Sequence, residues 1–296
     1  MAKVLCVGAA VVDFVFYLPE LPSKPIKYGT ERATIVGGGC AANAAVAVAR
    51  LGGQAILGAR MGDDAVGDLI VADLLREGVD VAHVTRTKGG QSSYSSIVID
   101  QGGERQIVNF RGAGLRFDTD WFSEQAGLGA VLTDTRRVAA AVAAMQAADA
   151  LGIPGIVDGE APIDPSILHP ASHVAMSMQG LQDLRPDLAP ADALLQLARE
   201  FGGWFCVTDG ANGVLYTDAG AVSHHPAYTV DVVDTLGAGD IWHGAFALAL
   251  AEGQSEARAM AFASAAAALK CMKRGGRAGC PNREDTMNFL SGVMDR

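Results

Sequence analysis

Continuous apolar runs alternate with helix-period segments along most of this chain. The first run, Lys3 to Val7, ends at Gly8 and predicts a strand buried on both faces of a parallel sheet. Further strands are expected at Gln54 to Ala59, Ala130 to Leu132, Ile153 to Val157, Val174 to Met176 and Trp204 to Val207. Helices are expected at Ala44 to Leu51, stopped by Gly52-Gly53, then at Ala65 to Glu77, Arg136 to Ala150, Ala191 to Phe201, Ile241 to Ala251 and Glu256 to Met272. Such alternation implies an α/β fold with a doubly wound, mostly parallel sheet flanked by helices.

Two stretches break the rhythm. From Phe14 to Val36 short alternating segments are split by Pro19, Pro22 and Pro25, which suits peripheral β structure. Ser92 to Asp100 and Glu104 to Phe110 alternate around Gly102-Gly103, a hairpin signal. Together, about 14–36 and 88–111 predict a small β lid inserted into one domain spanning 1–296. Internal repeats and low-complexity linkers do not stand out.

The 23 basic residues against 33 acidic give a net charge of −10, which argues against nucleic acid or an anionic membrane as the main partner. Small-molecule work fits better. Cys6, Cys40, Cys206, Cys271 and Cys280 are odd in number and contain no C-x-x-C pair, so neither a disulfide framework nor a zinc site is suggested and a cytoplasmic setting is expected. Asp13 interrupts the apolar start, which reads as a first strand rather than a signal peptide. The Ala-rich stretches Val138 to Ala148 and Met260 to Leu269 fall short of a membrane span.

The chemistry is expected at Asp234-Thr235-Leu236-Gly237-Ala238-Gly239-Asp240, which joins the strand-like Tyr228 to Val233 to an apolar helix beginning near Ile241. Gly237, Ala238 and Gly239 have little or no side chain, so their N–H groups can close on an anion while the helix dipole adds positive potential. Asp240 at the mouth suits a base that takes a proton from a hydroxyl attacking a phosphoryl group. Local chemistry alone serves a plain helix start equally well. A second glycine turn, Gly37 to Asn43, fits G-x-G-x-x-A through Ala42 and so admits a dinucleotide-binding oxidoreductase. Its place after the irregular lid, not after the first buried strand, argues against that. No G-x-x-x-x-G-K-[ST] exists, so a P-loop is excluded, and there is no HExxH.

Asp-Thr-x-Gly-Ala-Gly-Asp resembles the C-terminal signature of the ribokinase-like (PfkB) sugar kinases. The resemblance implies a ribokinase-like fold, ATP and magnesium as cofactors, Gly237, Ala238 and Gly239 as the anion hole and Asp240 as the base. It implies sugar contacts from Gly38, Gly39 and Asn43, matching a Gly-Gly-x-x-x-N segment. Asp13, at the ligand-gathering edge of the sheet, is a candidate for gripping sugar hydroxyls. Thr208-Asp209-Gly210-Ala211-Asn212-Gly213 resembles the family's nucleotide segment, which assigns Thr208, Gly210 and Gly213 to ATP. The usual Asn-x-x-Glu run is here Ser177-Met178-Gln179-Gly180, so Ser177 is the nucleotide-side candidate, no protein ligand to metal is expected, and magnesium is expected to be carried mainly by ATP and water.

Within the family, Pro226 to Asp234, Leu269-Lys270-Cys271 and Gly275 to Gly279 look most like the bacterial sulfofructose kinases, which phosphorylate O1 of 6-deoxy-6-sulfofructose. That likeness implies that Lys27, Asn109 and Arg136 hold the sulfonate, an ammonium, an amide and a guanidinium suiting a tetrahedral anion. A kinase of fructose, fructose 6-phosphate or another sugar is the nearest rival, and a non-catalytic sugar sensor the more distant one. Exposed lid strand edges need covering, so a homodimer pairing lid against lid is expected. Asp63 and Asp64, just before a helix, are expected to be caps, and His243 to be packed.

Overall fold

The structure, a computed structural model, describes residues 1–294. In chain order the strands and helices are β1 (Lys3–Val7), β2 (Val11–Tyr17), β3 (Ala33–Gly38), α1 (Cys40–Arg50), β4 (Gln54–Gly62), α2 (Ala65–Arg76), β5 (Val84–Thr87), β6 (Tyr94–Ile99) and β7 (Arg105–Phe110). Then come β8 (Ala130–Asp134), α3 (Val138–Leu151), β9 (Gly155–Gly159), β10 (His173–Ser177), α4 (Met178–Leu184), α5 (Pro190–Phe201), β11 (Trp204–Thr208), β12 (Val214–Asp218) and β13 (Ala221–His225). Three helices follow: α6 (Ala238–Ala251), α7 (Glu256–Cys271) and α8 (Arg283–Met294).

Nine strands form one sheet in the order β13-β12-β11-β10-β9-β8-β1-β4-β5. Pairing is parallel from β11 through β5, and β12 and β13 are added antiparallel. Alternation along β1 explains why the sheet is covered on both sides. Val4 and Cys6 face the cluster built with α1, α6 and α7, while Leu5 and Val7 face the cluster built with α3 and α5. The order reverses beside β1, and the ends of β1, β8, β9, β10 and β11 form the edge where ligands of such sheets collect. No described helix is long and apolar enough to cross a membrane.

The second sheet, β3-β2-β6-β7, is the lid. It begins at Val11, earlier than the expected 14, and residues 18–32 are largely irregular. Glycines at the end of β3 make room for charged side chains, one from the neighbouring lid strand and one from the body. The carboxylate of Asp13 occupies the place a Cβ on Gly38 would need, and the Arg277 guanidinium does the same at Gly37.

Two expectations are corrected. Tyr228 to Val233 is not a strand: it pairs with no neighbour, Val232 and Val233 are exposed, and the N–H groups of Val233 and Asp234 donate to Cys271 O at the end of α7. Alternating β-branched residues satisfy strand propensity, yet a strand needs a partner edge. Helix α6 also starts at Ala238 rather than near Ile241, because Gly237, at φ 75°, supplies the left-handed turn that launches it. Of the two expected caps, Asp64 is one, accepting from Gly67 N and Ser92 N at 2.8 Å each, whereas Asp63 caps nothing and lies 3.4 Å from the Arg86 guanidinium.

Candidate active site

The two glycine turns, far apart in sequence, meet at the sheet edge. Gly39, at φ 94°, turns the chain from the lid strand β3 into α1, so Asn43 lies on the first turn of that helix. Gly237 does the same for α6, which puts Asp240 third in its helix. The helices cross closely because Gly244 lies on the backbone of Ala44, where any Cβ would overlap its carbonyl. At this crossing Asn43 donates from Nδ2 to Asp240 Oδ2 at 2.6 Å.

The first turn of α6 differs in one respect from the anion hole expected there. Ala238 N–H closes on Thr235 O at 3.1 Å, and Ile241 N–H on Gly237 O at 3.1 Å. The first-turn donors left facing outward are therefore those of Gly239 and Asp240, with Gly237 as the hinge.

Asp240 sits among acids that the sequence did not single out. Asp134 and Asp158 end β8 and approach the end of β9, and both are buried. Asp134 accepts from Ala9 N at 2.6 Å and from Arg136 N at 3.0 Å. Asp158 lies 3.6 Å from His243 Nε2. Oxygens of Asp158 and Asp240 and the Cys40 sulfur lie within 4.8 Å of one another. Burial pushes the Asp240 carboxyl upward, and the Glu160 charge adds to this, while the Asn43 bond and His243 oppose it. Asp158 is held well above the usual carboxylate range by burial first and then by Asp240, Glu160 and Asp134. His243 is packed, with ring nitrogens 2.7 Å from Gly239 O and 3.1 Å from Ala175 O.

On the lid side, Asp13, Ser95 and Asn109 stand opposite one another across β2, β6 and β7. Asn109 donates to Ser95 Oγ at 3.0 Å. Burial raises the Asp13 carboxyl, opposed by a bond from Ser95 and the charge of Arg277. Arg136 follows β8, ion-paired with Glu160 and donating to Ala161 O at 3.3 Å. Lys27 is exposed on the segment between β2 and β3, and among the described contacts it meets neither Asn109 nor Arg136. Sequence reasoning also missed Arg277, which is 4 % exposed, ion-paired with Asp73 and packed under Gly37.

Beside the N-terminus of α6, an open cavity of about 560 Å³ is walled by Thr208, Gly210, Gly213, Tyr228, Gly239 and Ala267, among others. Three of the expected nucleotide-side residues are thus brought together. Ser177 is opposite Thr208 in the sheet but is not on this wall, and its Oγ accepts Gly180 N at 3.0 Å as the cap of α4. The dinucleotide reading of Gly37 to Ala42 loses its structural context, since Gly37 and Gly38 end a lid strand and no phosphate-binding β1–α turn precedes them.

The chain is 29 % identical over 306 residues to the ribokinase of Bacillus subtilis (strain 168), covering 98 % of this chain and 100 % of that protein. A solved structure from Agrobacterium tumefaciens, provisionally named a ribokinase, superposes with a TM-score of 0.91 at 37 % identity, covering 100 % of this chain and 99 % of the other. The ribokinase of Arabidopsis thaliana, solved with ribose and ATP, superposes with a TM-score of 0.85 at 24 % identity over 98 % of each chain, a likeness of fold. Residues 1–283 match the pfkB family carbohydrate kinases, and the chain belongs to that family.

Proposed function

We propose that this carbohydrate kinase transfers the γ-phosphoryl group of ATP to the O1 hydroxyl of 6-deoxy-6-sulfofructose. The observation that carries the transfer is Asp240 bound by Asn43 at the mouth of the α6 N-terminus. The Asp240 carboxylate takes the hydroxyl proton as the oxygen bonds to phosphorus and the bond to the bridging oxygen of ADP breaks. The N–H groups of Gly239 and Asp240 stabilise the charge on the transferred group. ATP occupies the cavity beside Thr208, Gly210 and Gly213.

Magnesium neutralises phosphate charge when bound. The oxygen donors here suit such a hard cation while the Cys40 thiol does not, so Asp158, with an oxygen within 4.8 Å of one of Asp240, is the residue that would hold it, through its waters.

The sugar lies between lid and body. Asp13 accepts its hydroxyls, Gly38 and Gly39 allow close approach, and Asn43 offers Oδ1, a buried atom with no hydrogen-bond partner in the protein. The lid shields the reaction from water. Lys27, Asn109 and Arg136 read the sulfonate, with Arg136 shared between that anion and Glu160. Replacing Arg136 with Ala should raise KM for sulfofructose by tenfold or more, about the worth of a charged hydrogen bond, and leave KM for fructose nearly unchanged. Equal effects on both sugars would overturn the sulfonate assignment.

The Glu160 pairing also favours a second reading. With its charge already met, Arg136 serves a neutral sugar such as ribose or fructose, as the name of the Bacillus subtilis relative suggests. We also place a second copy of the chain on the lid, where Ile35 and Val108 stand in one row across the sheet, 58 % and 70 % exposed. Sedimentation as a monomer would contradict this.

A further inference from the structure

Asp234 opens the loop that leads into the anion hole, and four groups from three parts of the molecule converge on it. Its carboxylate accepts from Leu236 N at 2.9 Å within the loop and from Gly275 N at 3.0 Å beyond α7. Lys270 of α7, fully buried, donates from Nζ to Asp234 O at 2.6 Å and stands 3.7 Å from its carboxylate. The fourth group comes from the lid. Arg105, first residue of the lid's edge strand β7, brings its guanidinium within 3.6 Å of Asp234 Oδ1.

Each bond has a different character. Lys270 and the Gly275 N–H belong to the body, and together with the Leu236 N–H inside the loop they hold the Asp234 carboxyl below the usual range against its burial. Arg105 belongs to a strand exposed at every position but Phe110, at a separation longer than a charge-assisted hydrogen bond. Alternation along β7 puts Arg105 on the same face as Asn109, which is the face of Asp13 and Ser95. A ligand gripped on that face orders the strand that carries Arg105. The loop that Arg105 meets carries Gly237, Gly239 and Asp240 three to six residues on.

We infer that Arg105 is a positioning residue that joins lid to anion hole: sugar held by the lid draws its guanidinium onto Asp234 and braces the loop that receives the phosphoryl group. The inference rests on the proposed roles of lid and anion hole. It makes sugar and nucleotide binding mutually reinforcing, since a ligand that orders one partner of the pair lowers the cost of ordering the other.

The test uses the full chain and its Arg105→Ala and Arg105→Lys variants. Amide exchange of residues 234–240 is read without ligand. Affinity for a non-hydrolysable ATP analogue with magnesium is read with and without saturating 6-deoxy-6-sulfofructose, and in parallel with fructose and ribose. In the wild type the sugar that is phosphorylated should tighten the analogue by at least about fivefold. Arg105→Ala should lose most of that gain while keeping affinity for each ligand alone, and should exchange faster at 234–240 but not at 3–7; Arg105→Lys should restore part of the gain. An unchanged gain in Arg105→Ala, or no gain in the wild type with a sugar that it phosphorylates, would overturn the inference. If the wild type phosphorylates none of the three sugars, the substrate reading fails, and the exchange result alone then decides the brace: faster exchange upholds it, unchanged exchange removes it.

Discussion

Asn43 on α1 and Asp240 on α6 share one hydrogen bond of 2.6 Å, and through it the two glycine turns that open these helices meet at one place. Burial disfavours the Asp240 carboxylate, and the Asn43 amide favours it. Removing the amide as Asn43→Leu should therefore raise the pKa of Asp240 further and move the acidic limb of the kcat profile to higher pH. A bond to a charged group is worth about 1.5–3 kcal/mol, or roughly one to two pH units. A pH–rate profile of the variant with an unshifted acidic limb would contradict the base assignment.

That geometry depends on the close crossing of α1 and α6. Gly244→Ala places a methyl against the carbonyl of Ala44, one residue from Asn43, in a crossing where Ala245, Ala247 and Val48 are fully buried. We expect a loss of about 1–3 kcal/mol in unfolding free energy from overpacking, with kcat falling more than the affinity for ATP. Denaturant unfolding and initial-rate kinetics on the same preparation check both. Wild-type stability in this variant would mean that the crossing is looser than described.

The acidic floor of the site makes a claim about stability. Asp158 has its folded pKa raised well above its unfolded value, so its folded form is favoured when protonated. Its contribution is present in full below the unfolded pKa, about 3.9, and is lost as pH rises through the folded value. In magnesium-free buffer Tm should thus be higher at mildly acidic than at alkaline pH, and Asp158→Asn should flatten the difference and raise Tm at alkaline pH. A Tm that rises with pH in the wild type, or an unaltered slope in the variant, would contradict this.

Much of this site was legible along the chain because glycine turns before helices have a local signature. Gly237 to Asp240 and Gly38 to Asn43 stood out from their own neighbours as turns, and the resemblance to a family signature then assigned them to phosphate and sugar. Asp134 and Asp158 were not found, although each lies at the end of an apolar strand, the same signal that drew attention to Asp13. Their role depends on parallel pairing of β1, β8 and β9, which no local pattern specifies. Arg105 and Arg277 were hidden for the same reason: their partners, Asp234 and Asp73, lie 129 and 204 residues away. The Tyr228 to Val233 segment failed in the opposite direction, since its alternation was real but no strand edge was there to receive it.

The most direct measurement is ATP-to-ADP turnover with magnesium, followed by a coupled assay, on protein offered 6-deoxy-6-sulfofructose, fructose 6-phosphate, fructose and ribose in parallel, with Asp240→Asn as control. The highest kcat/KM should be for sulfofructose, with a loss of roughly 10²–10⁴-fold in the control. Preference for ribose or fructose would contradict the sulfonate-reading role of Lys27, Asn109 and Arg136, and undiminished turnover in Asp240→Asn would contradict the mechanism itself.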